Sequence, residues 1–187
     1  NSFGSAVIAG YSAAIKLNTF TITSFSTLGN ALSSFSAQNI GAVKIDRVRK
    51  GFRAGTMLAW IIAVPFFVLF FFFGNEMLRI FMENPTGGAM KAGMAFLKIV
   101  SPFYFIISLK LLADGLLRGS SAMIGFMVST FTDLILRVIL AYVFAGLFGS
   151  TGIWMSWPVG WSISAIISLL FYRYTWKQLS VERRLLK

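Results

Sequence analysis

Apolar residues run along this chain in long blocks separated by short polar stretches. A helix crosses a bilayer in about 20 mostly apolar residues. Four blocks reach that length, at 54–73, 96–117, 122–148 and 153–174. A fifth, 6–37, is rich in Ser and Thr and holds no charge except Lys16. Phe20, Leu28, Leu32 and Phe35 keep a helical apolar spacing through it. It reads as a span that faces protein or a cavity more than lipid; the rival reading is a polar linker. The pattern predicts an all-α membrane protein, a bundle of about five transmembrane helices over 1–176 with a basic tail at 177–187.

The connections are short. The 38–53 stretch is basic and contains Gly. The 74–95 stretch contains Asn84-Pro85-Thr86-Gly87-Gly88, a strong turn signal. The joints at 117–123 and 149–152 are tight. From Trp176 the chain is polar and basic, which reads as an amphipathic helix on the membrane surface. Pro65, Pro102 and Pro158 fall inside or near the ends of spans, where membrane helices tolerate them. Trp154, Trp157, Trp161, Tyr172, Tyr174 and Trp176 sit toward the two ends of the last span, as an aromatic belt would.

Composition sharpens this picture. Charged residues are 12% of the chain, against about a quarter in soluble domains, which favours the membrane class. The net charge of +11 would suggest an acidic partner in a soluble protein, but its placement explains it. The side holding 38–53, Arg118 and the tail carries eleven of the seventeen Lys and Arg residues. The opposite side carries three: Arg79, Lys91 and Lys98. Positive charge stays inside, so the C-terminus is expected in the cytoplasm, with the basic face against anionic headgroups and no nucleic acid involved. The chain begins at Asn1 with no signal-peptide pattern and reads as a piece of a longer polypeptide.

There is no Cys and no His, which removes disulfides, thiol nucleophiles, imidazole acid–base chemistry and the usual transition-metal ligands. No glycine-rich phosphate loop is present, and no Ser has a plausible base in sequence reach. An enzyme is not expected, nor is a cofactor or a bound metal. Gly115 and Gly119, four apart, read as a helix-packing seam.

Charge inside a bilayer costs about 2.5–3.5 kcal/mol per residue, so Lys16, Lys110, Asp114, Asp133 and Arg137 each need a partner or a task. Lys110 and Asp114 are four apart, as are Asp114 and Arg118, and Asp133 and Arg137. The tight joint near 120 makes their helices antiparallel neighbours and predicts one polar cluster of Lys110, Asp114, Asp133 and Arg137. Either these are ion pairs that hold two helices together, or one carboxylate, Asp133 before Asp114, takes up a proton or Na⁺ during transport. Lys16 either snorkels to the surface or lines a cavity with Asn18, Thr21 and Ser24. Lys110 and Arg137 are further cavity candidates.

Several short motifs carry a family resemblance. Ser36-Ala37-Gln38-Asn39-Ile40-Gly41-Ala42, followed by a basic stretch, resembles the Gly-Gln-x-x-Gly-Ala element of multidrug and toxic compound extrusion (MATE) transporters. Leu97-Lys98-Ile99-Val100-Ser101-Pro102-Phe103 resembles their Leu-Arg-x-x-x-Pro segment. Gly115-Leu116-Leu117-Arg118-Gly119 matches their Leu-Arg-Gly turn, and Thr151-Gly152-Ile153-Trp154 the Gly-(Val/Ile)-Trp start of the last span. The resemblance implies the second lobe of a twelve-helix, two-lobed transporter, without most of that lobe's first helix. It implies antiport of an organic small molecule against Na⁺ or H⁺ by alternating access, in a bacterial inner membrane. The missing N-terminal lobe of the same polypeptide would be its partner. The rival functions are a lipid-linked saccharide flippase, which would use Lys16, Lys110 and Arg137 to hold a pyrophosphate, a lipid-acting membrane enzyme, and a non-transporting scaffold.

Overall fold

The computed structural model describes residues 4–82 and 86–185, with side chains described to Val181. Asn84 and Pro85 of the expected turn lie outside the described residues, as do Lys187 and the side chains of Arg183 and Arg184. Among the described residues the chain forms seven α-helices and one 3₁₀ turn: α1 (Ser5–Gly41), α2 (Ile45–Phe72), α3 (Gly74–Phe81), α4 (Gly87–Val100), the turn Ser101–Phe103, α5 (Tyr104–Gly119), α6 (Met123–Phe148) and α7 (Ser150–Leu185).

Four stretches are long and apolar enough to cross a membrane: Ile45–Phe72, Gly87–Gly119, Met123–Phe148 and Ser150–Val181. The Ser/Thr-rich fifth is α1, the longest helix at 37 residues but outside that apolar set. So the segment is helix, as expected, and the rival linker reading fails; its polar residues lie on the exposed side and also, as Asn18, Thr21, Ser36 and Asn39, among the buried ones.

The helices are longer than the hydrophobic blocks that announced them. α2 begins at Ile45, inside the expected basic loop. Ile45, Val48 and Phe52 repeat at three and four and are buried, so an apolar stripe carries the helix through the cations. The expected loop 74–95 holds α3 and most of α4, because Ala89, Ala92, Gly93 and Phe96 give α4 a buried face of small residues and one large ring. Pro102 sits in the 3₁₀ turn that joins α4 to α5 as one span. The tail is no separate surface helix: α7 continues through it without a break.

Two buried clusters hold the bundle. The larger joins Phe25 of α1, Phe70 of α2, Phe96 of α4, Tyr104 of α5 and Trp154 and Trp161 of α7. The expected aromatic belt is thereby corrected at Trp154 and Trp161, which are 4% and 2% exposed. Positions 154, 157 and 161 share one helical face, and Phe96 takes Trp154 and Trp157 edge-on at 6.4 and 5.7 Å. The smaller cluster joins Leu32, Val48, Phe52, Ala59, Leu112 and Leu116.

α1 and α5 touch through their backbones. A Cβ on Gly115 would lie 2.1 Å from the Gly29 carbonyl oxygen, and one on Gly119 would lie 2.2 Å from that of Ser33. The four-residue step on α5 matches a four-residue step on α1, so the small-residue seam expected from sequence is a real helix crossing.

Candidate functional site

α5 carries Lys110 and Asp114 one turn apart on its buried face. Their Nζ and Oδ2 are 2.7 Å apart, with side chains 6% and 3% exposed. Ser168 of α7 donates to Asp114 Oδ1 at 2.5 Å. The Ser129 hydroxyl of α6 lies 2.5 Å from that of Ser168. Ser168 has committed its proton to the carboxylate, so Ser129 is the donor in that pair. Its oxygen also lies 3.1 Å from the Ser164 carbonyl, which competes for the same proton. The result is a string across three helices in which both oxygens of Asp114 are satisfied.

α6 carries the second pair. Arg137 bonds Asp133 Oδ2 through its guanidinium and stacks over the Trp157 ring, 4.5 Å from its centroid. Asp133 Oδ1 is buried and makes no hydrogen bond among the described residues, as does Arg137 Nε. Gly160 of α7 leaves the room for that oxygen: a Cβ there would come within 2.9 Å of it.

The expected four-residue cluster therefore does not form. No ion pair or hydrogen bond joins the two pairs among the described residues. The reason is topological. α7 packs along both α5 and α6, which touch each other far less than either touches α7. A tight joint made α5 and α6 sequence neighbours, but α7 returns between them. Arg118 turns away from Asp114 and donates to Asn30 Oδ1 on α1 at 2.8 Å, with its guanidinium 5.2 Å from the centroid of the Phe126 ring.

The four candidates on α1 separate into two faces. Asn18 and Thr21 point into the core, where the Tyr104 hydroxyl donates to Asn18 Oδ1 at 3.2 Å. Lys16 is exposed on the other side, and Ser24, about two turns further along, is half-buried and bonded back to the Phe20 carbonyl at 3.0 Å. Lys16 belongs to a row the sequence reading missed. Ser12, Lys16, Thr19, Thr23, Thr27, Asn30, Ser34 and Gln38 recur at steps of three and four, and all are exposed. Its signal in the sequence is a polar period of three and four that runs alongside the apolar one.

The MatE family model matches residues 1–143, most of the chain. The chain belongs to the MatE family of MATE transporters. Two curated relatives from Bacillus subtilis (strain 168) are described as probable multidrug resistance proteins. YpnP is 28% identical over 186 residues, an alignment covering 97% of this chain and 41% of YpnP. YoeA is 24% identical over 186 residues, covering 98% of this chain and 40% of YoeA. The chain thus spans about two-fifths of the length of these relatives. Two solved structures share its fold: an inward-facing multidrug resistance MATE family transporter of the MOP superfamily, with a TM-score of 0.81 over 94% of this chain, and a MATE protein in a bent conformation, with a TM-score of 0.87 over 97%. Each is 16% identical to this chain, which spans 42% and 40% of them.

Proposed function

We propose that this chain is the C-terminal lobe of a cation-coupled multidrug efflux antiporter that works by alternating access. The observation that carries the reading is the polar row on α1. A helix this long, exposing Lys16, Asn30 and Gln38 on one side, is unsuited to hydrocarbon there. That face suits a water-filled cavity whose other wall is the lobe supplied by the remainder of the polypeptide. The substrate is an organic small molecule, and the membrane is the bacterial inner membrane with the basic C-terminal end in the cytoplasm. Transport without catalysis fits a family of transporters.

Asp133 is the better coupling candidate. Its unpartnered Oδ1 has capacity for a proton or a Na⁺ contact, whereas Asp114 is saturated by Lys110 and Ser168. Ion binding at Asp133 would compete with Arg137 and bias one facing state over the other. The flippase reading needs Lys16, Lys110 and Arg137 along one open groove. Burial of Lys110 against Asp114 and the pairing of Arg137 with Asp133 count against it.

The test uses the full-length protein in everted membrane vesicles loaded with a fluorescent organic cation. Dye release on collapse of either the Na⁺ or the H⁺ gradient is expected and names the coupling ion. Asp133→Asn is expected to abolish gradient-driven loading while the protein stays folded in the membrane. No gradient-dependent dye movement by wild-type protein would sink antiport.

A further inference from the structure

A groove of about 450 Å³ opens between α2 and α5, walled by Phe52, Thr56, Met57, Trp60 and Leu109, with Arg53 at one end. Its walls are apolar apart from Thr56, whose hydroxyl is already bonded to the Phe52 carbonyl at 2.9 Å. The Trp60 indole N–H is likewise engaged, donating to the Phe105 carbonyl at 3.2 Å, which fixes the ring as a wall. Met57 is 67% and Trp60 44% exposed, so the groove is open along the side of the bundle. From Arg53 to Trp60 is seven residues, about 10 Å along the helix axis.

Among residues 44–53 the cations outnumber the acids. Lys44, Arg47, Arg49, Lys50 and Arg53 are all exposed, with Asp46 the one acidic residue in that stretch. The backbone beneath is held in place, because Phe52 stacks on Tyr172 of α7 at 4.6 Å and Arg49 lies 5.9 Å from the centroid of the Trp176 ring. An exposed cation at the end of an open apolar groove fits a molecule with an anionic head and a hydrocarbon tail.

We propose that this groove is a binding site for one acyl chain of an anionic phospholipid, with Arg53 on the phosphate and Lys50 and Arg49 one turn further out. A guanidinium takes a phosphate through two parallel hydrogen bonds, and a Lys or Arg near an anionic surface strengthens binding by roughly fivefold. The groove carries the apolar part of the selectivity and Arg53 the charged part. The groove lies along the side of the described helices, away from the polar row of α1 and independent of what the transporter carries.

The full-length protein, purified in detergent with equal phosphatidylglycerol and phosphatidylcholine, would be sprayed for native mass spectrometry. Retention of phosphatidylglycerol over phosphatidylcholine by about fivefold or more is expected. Arg53→Glu should abolish that preference. Met57→Trp, which narrows the groove and leaves the charge, should reduce retention of both lipids. Arg173→Glu changes an exposed cation of α7 that does not line the groove, and should leave the preference intact. Equal loss in Arg53→Glu and Arg173→Glu would reduce the effect to general surface charge and overturn the site. Absence of any preference in the wild type would also overturn it, and would indicate that another segment of the polypeptide occupies the groove.

Discussion

α1 and α6 both leave much of their surface uncovered, and they do so with opposite chemistry. α6 exposes Phe131, Leu134, Val138, Tyr142 and Leu147, and buries only Gly125, Ser129 and Asp133. Its large apolar groups are mostly outside, with Ser129 and Asp133 inside, the order a lipid solvent demands. α1 exposes its row of Ser, Thr, Asn, Gln and Lys16 and buries Leu17, Phe25 and Leu32. It also buries Asn18 and Thr21 and exposes Phe20, so the character of a face against water belongs to the polar row and not to the whole helix. The same fractional exposure thus has two meanings in one lobe. On the proposed reading α6 is the outer wall and α1 the inner one, and the buried polar string runs from α5 through Ser168 of α7 to Ser129 of α6.

The largest expected effect comes from closing the α1–α5 seam. Gly115→Leu would drive a side chain into the Gly29 carbonyl, and backbone cannot move aside as a flexible side chain can. A loss of more than about 3 kcal/mol is expected, seen as failure to recover monodisperse protein. Val138→Leu on the outer face of α6 should leave yield and melting temperature unchanged. If both behave alike, the inner and outer walls are misassigned.

Next in size is the buried pair. Lys110→Met strands the Asp114 carboxylate at 2% exposure and should cost about 3–5 kcal/mol in thermal unfolding. The double variant Lys110→Met/Asp114→Leu should recover most of that loss, since an apolar pair needs no compensation. Lys16→Met, on the exposed row of α1, should cost less than about 1 kcal/mol. A large loss there would mean Lys16 is structural and the row is not a wetted face.

A direct measure of the comparison is thiol labelling, which is clean because this chain has no cysteine. Thr23→Cys and Thr27→Cys on α1 should react with a membrane-impermeant maleimide about tenfold faster than Val138→Cys and Ile139→Cys on α6, because the thiolate forms only in contact with water. Equal rates would remove the cavity assignment of α1.

Much of this was legible in the sequence, for identifiable reasons. The apolar blocks of α2, α5, α6 and α7 announce helices because hydrocarbon admits few alternatives. The pairs Lys110–Asp114 and Asp133–Arg137 follow from a four-residue step alone. What failed was anything that depends on which helices are neighbours. The return of α7 between α5 and α6 leaves no trace in a single sequence, so two pairs were merged into one cluster. Helix ends were also misjudged where cations interrupt the hydropathy, although Ile45, Val48 and Phe52 keep the period. The tryptophans of α7 were assigned to an interface by residue type, when the shared face of positions 154, 157 and 161 and the Phe96 ring opposite decide their place.

The smallest effect lies where the two compared helices end. Each is followed within two residues by a residue with positive φ. α6 ends at Gly149, with φ 61 and ψ −143, a region that is nearly closed to other residues. α1 is followed by Val43 with φ 58, where a β-branched side chain is strained. The Val43 N–H donates to the Ile40 carbonyl at 2.9 Å, and that of Lys44 to the Asn39 carbonyl at 2.8 Å. Those bonds hold the turn against its own preference. Val43→Asn keeps the bonds and removes the strain, since Asn tolerates that conformation. A gain of about 1 kcal/mol, read as a rise of a few degrees in melting temperature, is expected. Gly149→Ala should move the other way by about 1–3 kcal/mol. If Val43→Asn is destabilising instead, the exposed Val43 side chain is making a contact with the other lobe, and the inner wall extends past the end of α1.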